Sequence, residues 1–85
     1  MSYRYAPRLA WQLIDGEAVV VDLDRSRTLG LNRVASLIWS FLPERDEATI
    51  AAEMARRFDV SLETATSDVS EFLRSLRAQG LVVEA

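Results

Sequence analysis

The residues able to do chemistry are few and far apart. Hydroxyl side chains are plentiful, but the 85-residue chain has no His, no Lys and no Cys, and its ten basic residues are all Arg. A Ser or Thr nucleophile needs a neighbouring base to take its proton. The commonest such base, and the commonest zinc ligand, is the missing His. Thiolate and disulfide chemistry is closed for want of Cys. Asp22 and Asp24 could flank a metal ion, yet two Asp at that spacing after an apolar run read as turn chemistry. Glu44, Asp46 and Glu47 read as the solvated start of a helix, where carboxylates suit the helix dipole. Gly16, Gly30 and Gly80 stand alone, so no loop cradles a phosphate. The expectation is a non-catalytic protein with no cofactor and no metal site.

The formal charge is −3 and 49% of the residues are hydrophobic. That suits one small packed domain over 1–85 rather than a disordered chain. An acidic balance opposes non-specific attraction to nucleic acid or anionic membrane. No apolar run approaches the ~18 residues that span a bilayer. The N-terminal stretch lacks a secretion signal, so a cytoplasmic location is expected. What remains open to such a chain is recognition.

The elements that must carry it divide into strands, then helices. Leu9, Trp11 and Leu13 alternate with Ala10, Gln12 and Ile14, the two-residue period of a half-buried strand. Asp15-Gly16 is a hairpin signal. Glu17 to Leu23 forms the second strand, with Val19, Val21 and Leu23 on one face and Val20 on the other. Asp24-Arg25-Ser26 turns the chain. Thr28 to Leu31 makes a third, short strand in which Leu29 and Leu31 point the same way. Gly30 between them weakens the strand and marks a place where another backbone can come close.

Asn32 caps a first helix with Val34, Ile38, Phe41 and Leu42 at helical spacing, and Pro43 ends it. Trp11 and Trp39 are read as core residues. Asp46 caps a second helix with Ile50, Met54 and Phe58 on its stripe. Ser61 caps a third, with Leu62, Ala65, Val69, Phe72, Leu73 and Leu76 as its apolar face. Gly80 closes that helix in the left-handed conformation, and Leu81-Val82-Val83 is an apolar tail that packs or adds a strand. The fold class is therefore α+β, a three-stranded antiparallel sheet followed by three helices.

Helices two and three also look like a winged helix-turn-helix, whose third helix enters the DNA major groove in transcriptional regulators. The exposed start of that helix here carries Glu63, Asp68 and Glu71, which oppose a phosphate backbone. DNA binding is the alternative, and no nucleic-acid partner is expected.

Gly16 to Asp22, then Leu29-Gly30-Leu31-Asn32-Arg33-Val34-Ala35 with Ile38-Trp39, then Ile50-Ala51 and Phe58, then Asp68-Val69, Phe72-Leu73, Leu76 and Gly80-Leu81-Val82 together resemble the PqqD family. That family comprises coenzyme PQQ synthesis protein D and the recognition domains that act on ribosomally made, post-translationally modified peptides. The likeness covers about residues 8 to 83. Where the coenzyme PQQ proteins have Tyr-Pro-Glu-Gly and Cys-Asp-Gly, this chain has Arg25 to Leu29 and Leu42 to Arg45, so the resemblance points as readily to another modified peptide as to PQQ biosynthesis. It implies a peptide chaperone with a winged helix-turn-helix-like fold. The leader segment of a precursor peptide docks antiparallel on the third strand, Arg27, Thr28, Leu29, Gly30 and Leu31, in a groove bordered by the third helix. On that helix Asp68, Glu71 and Ser75 are the expected groove residues. Arg25, Arg27 and Arg33 could pair with an acidic leader. The implied partners are the precursor peptide and a modifying enzyme, such as a radical SAM protein or a peptidase. A homodimer through the unpaired third strand is also open.

Overall fold

The computed structural model describes residues 2–84. The elements run β1 (Tyr3–Tyr5), β2 (Leu9–Ile14), β3 (Glu17–Asp22), β4 (Arg27–Gly30), α1 (Arg33–Phe41), α2 (Glu47–Phe58), α3 (Leu62–Ala78) and β5 (Val82–Glu84). The antiparallel sheet is β2-β3-β4, and a separate two-stranded sheet pairs β1 with β5. The expected three strands followed by three helices are thus present, as the second to fourth strands. The apolar tail is the strand β5. The segment 3–5, read from sequence as no element, is β1.

The local chemistry explains the elements. Asp15 (φ 53°) and Gly16 (φ 81°) both take the left-handed region, as the two-residue hairpin turn between β2 and β3 requires. Asn32, Asp46 and Ser61 cap the three helices, their side chains accepting from the backbone N–H of Ala35, Thr49 and Thr64. At the end of α3 Gly80 is left-handed (φ 74°). Leu81 N–H donates to Leu76 O and Gly80 N–H to Arg77 O, which satisfies the last carbonyls and turns the chain into β5.

The core is built from Ala18, Val20, Ile38, Trp39, Leu42, Ile50, Ala51, Met54, Ala65, Val69, Leu73, Leu76 and Leu81, closed by Tyr3 and Val82 of the two-stranded sheet. The buried face of β3 is Ala18-Val20-Asp22, the side that carries Val20; Val19 and Val21 on the other face are half-buried and Leu23 is exposed. Small Ala18 faces inward because α1 comes close there. Ser36, buried on that helix, accepts from Ala18 N–H at 2.6 Å and donates to Leu31 O at 3.1 Å. Three expected stripe residues, Val34, Phe58 and Leu62, lie at the ends of their helices and are exposed.

Asp22 ends β3 buried, and it is a turn residue as expected. Its carboxylate accepts from the backbone N–H of Asp24 and Arg25 and from the guanidinium groups of Arg25 and Arg27. Asp24 turns away to pair with Arg8. Burial pushes the Asp22 carboxyl up, but the hydrogen bonds from Arg25 and Arg27 together outweigh it and hold the group below the ordinary 3.8. Glu53, bonded by Arg57 and Arg56, is likewise held below its ordinary value of 4.5. A carboxyl whose folded value is depressed adds stability above its unfolded value and loses it as pH falls through the folded one. The melting temperature is therefore expected to be flat at neutral pH and to fall as pH drops below about 4. Asp22→Asn should flatten that fall in a melting series against pH while lowering the neutral plateau.

Candidate functional site

The sheet order leaves β4 at an edge, and the hydrogen-bond phase decides which of its residues face outward. Leu31 N–H donates to Ala18 O at 2.9 Å, so Ala18 and Leu31 form a close pair. Antiparallel pairs alternate between bonded and unbonded. Val20–Leu29 and Asp22–Arg27 are therefore also bonded pairs, and Val21–Thr28 and Val19–Gly30 are not. Arg27, Leu29 and Leu31 direct their backbone groups into the sheet. Thr28 and Gly30 direct theirs away from it. Of the five residues expected at the strand-addition site, two offer free backbone bonds and three hold the strand in place.

Their side chains divide the same way. Leu29 and Leu31 are half-buried and pack against the core, whereas Thr28 and Gly30 are exposed. A Cβ built on Gly30 meets no atom within 4 Å. The fold does not itself require glycine there.

The three expected residues of α3 come together. Asp68, Glu71 and Ser75, with Phe72, line one open depression of about 350 Å³. Their spacing of three and four places them along one side of the helix. At the Arg27 end the edge strand is tied to this helix, because the Arg27 guanidinium donates to Gln79 O at 2.7 Å. Beyond Asp68 a second hollow of about 220 Å³ begins, lined by Val34, Ile38, Met54, Phe58, Val60, Ala65 and Val69 as well as Asp68 itself. Sequence reading missed this pit. Its signal was present in Val34, Phe58 and Val60, apolar residues near helix ends that reach past the core.

Of the three arginines expected near the third strand, two have a partner within the chain. Arg25 and Arg27 both bond Asp22, and the Arg33 guanidinium lies over Gly16 at the hairpin tip. Along α3 the depression instead carries the two carboxylates of Asp68 and Glu71.

Comparison with known proteins decides the family. The family model described as coenzyme PQQ synthesis protein D (PqqD) matches residues 17–82. The chain belongs to the PqqD family. The matched span runs from the start of β3 to the start of β5, and so takes in both the β4 edge and α3. No curated protein matches. Among solved structures, TbiB1 in complex with the TbiA(beta) leader peptide is similar with a TM-score of 0.87 at 29% identity, over 96% of this chain and 94% of that one. Lasso peptide synthetase B1 complexed with the leader peptide superposes with a TM-score of 0.87 at 23% identity, over 98% of this chain and 99% of that one. The latter shows a shared fold. No helix among the described residues is long and apolar enough to cross a membrane.

Proposed function

We propose that this PqqD-family chain is a non-catalytic peptide chaperone of the cytoplasm. It takes the leader segment of a ribosomally made precursor as an added antiparallel strand on β4 and presents it to a modifying enzyme, a radical SAM protein or a peptidase. The observation that carries the reading is the β4 edge, where the backbone groups of Thr28 and Gly30 face outward and which the Arg27 guanidinium ties to the C-terminal end of α3. Strand addition draws affinity from backbone bonds and register from side-chain pockets. The likeness to TbiB1, solved with a leader peptide bound, supports the same reading.

In this arrangement Asp68, Glu71 and Ser75 border the peptide. A strand antiparallel to β4 runs its N-terminal end towards α1, because β4 leads directly into Asn32 and that helix. The apolar pit bordered by Val34 lies at that end. It receives an apolar side chain from the N-terminal part of the bound segment. A homodimer joined through β4 would compete for the same backbone groups, so peptide and second copy exclude each other at that edge.

The test is a titration followed by amide NMR shifts, using the leader segment of the precursor encoded beside the protein, with duplex DNA as the control. Shifts at Arg27 to Asn32 and Asp68 to Ser75, with none from DNA, are expected. Shifts from DNA along residues 61–74, and none from the leader, would overturn the reading in favour of a regulator. Val34→Asp probes the pit. Val34 is exposed on the first turn of α1, where a carboxylate suits the dipole, so the melting temperature should hold. Leader affinity should fall about tenfold as a charge enters an apolar site.

A further inference from the structure

The sheet has a second free edge, and it is less defended than the first. Among the described residues β2 pairs with β3 on one side only. Leu23 N–H donates to Arg8 O at 3.0 Å, which sets the phase of this ladder. Ala10, Gln12 and Ile14 bond to β3, while Leu9, Trp11 and Leu13 direct their backbone groups outward. The strand Leu-Ala-Trp-Gln-Leu-Ile contains no charge and no proline. Natural edge strands are blunted by charged residues, prolines or bulges because an open edge pairs with whatever strand it meets. Between Leu9 and Ile14 none of these is present, Pro7 and the left-handed Arg8 standing just before the strand, and Leu13 and Ile14 are about half exposed.

We propose that two copies of this chain associate through β2, antiparallel about a two-fold axis, to make one continuous sheet with a β4 edge at each end. The ladder phase restricts the register. Outward-facing residues must oppose outward-facing residues. Only the pairing of Trp11 with Trp11 of the second copy, and of Leu9 with its Leu13, matches all three on both strands. A shift by two residues leaves an outward group on each strand opposite the hairpin turn or the chain before β2. In the matched register Leu13 is covered by Leu9 of the second copy, and aromatic residues meet at the axis. Just before the strand, Arg8 is left-handed (φ 64°) and pairs with Asp24 of its own chain, and in this register that ion pair comes next to Asp15 of the second copy, so like charges do not stack along the strand itself. An interface of one strand pair falls below the ~1,200 Å² of a standard stable complex, so the association is weak and concentration-dependent. It leaves β4 free for a peptide and stands independently of the peptide reading.

Sedimentation velocity over roughly a hundredfold range of concentration tests this with the full chain. The wild type should shift from the mass of one chain towards twice that mass. Leu13→Lys, at a side chain already half in solvent, should keep its circular dichroism and weaken self-association at least about tenfold. Leu13→Pro should do the same, since the N–H it removes is not used within one copy. Should Leu13→Pro unfold, Leu13→Lys alone carries the test. Gly30→Pro should associate like the wild type. The proposal is overturned by a wild type that stays monomeric throughout, by a dimer that survives Leu13→Lys, or by a dimer lost in Gly30→Pro, which would place the contact at β4.

Discussion

Gly30→Pro is expected to weaken leader-peptide binding by about ten- to a hundredfold while leaving the melting temperature close to that of the parent. Gly30 opposes Val19 across an unbonded pair, so its N–H points out of the sheet. Proline removes that donor and places a ring on the edge. The fold loses no hydrogen bond of its own, and a side-chain atom at this position meets nothing within 4 Å. Leu29, the residue before the new proline, is already extended, as a pre-proline residue must be. The peptide fares differently, because one of its carbonyls is buried against the edge without a partner. An unsatisfied buried acceptor costs about 1–3 kcal/mol, which gives the stated range of affinity. Gly30→Ala keeps the N–H and should bind nearly as well as the parent. Calorimetric titration with thermal melting of the same three proteins separates the outcomes. Unchanged binding in Gly30→Pro would mean the peptide uses another surface. Parallel loss of binding and melting temperature would mean the Gly30 donor serves the fold.

The contrast between Gly30 and its neighbours shows how far a one-dimensional pattern reaches. Alternation located the strands, and the spacing of Asp68, Glu71 and Ser75 placed them together, because both depend on periods that the chain carries along itself. Capping residues at Asn32, Asp46, Ser61 and Gly80 were equally legible, since each cap is a local bond. What alternation leaves open is which of two apolar faces turns inward. In β3 the bulkier face, Val19 and Val21, lost to Ala18 and Val20, because α1 approaches closely enough that Ser36 bonds the Ala18 backbone. That preference is tertiary and has no sequence period. The three-residue strand β1 is another such case. Tyr-Arg-Tyr has too few residues to show a pattern, and its pairing with Val82–Glu84 joins opposite ends of the chain. The partners of the arginines were hidden for a related reason. Proximity along the sequence was visible, but the buried Asp22 that draws in Arg25 and Arg27 became evident only once the inward face of β3 was known.

Trp39→Ala should produce the largest loss of stability of any substitution considered, about 3–5 kcal/mol. A domain of this size holds on the order of 5–15 kcal/mol in total, so the melting temperature should fall by roughly 15 to 30 °C. Trp39 is wholly buried and joins three parts of the fold. Tyr5 of β1 stacks on it at 4.6 Å between ring centroids, and Trp11 of β2 meets it edge-on at 6.0 Å. The Tyr5 hydroxyl also donates to the Trp39 carbonyl at 2.6 Å. Burial, reinforced by Glu44, pushes that phenol up to about 12, so it remains a donor throughout the physiological range. Removing the indole opens a cavity where β1, β2 and α1 converge, and the cluster cannot refill it because each ring is anchored to a different element. The indole N–H is buried and finds no hydrogen-bond partner among the described residues. Trp39→Phe therefore loses volume but also removes an unsatisfied donor, and should cost less than about 2 kcal/mol. A series of parent, Trp39→Phe and Trp39→Ala followed by urea unfolding distinguishes the contributions. A steep drop already at Phe would mean the N–H has a partner that matters. A shallow drop at Ala would mean the core closes over the gap and the three elements do not depend on this ring. Because α1 carries both Ser36, which bonds the backbones of β3 and Leu31, and Val34 at the apolar pit, leader binding in Trp39→Ala should fall together with stability. Gly30→Pro is expected to keep the two apart.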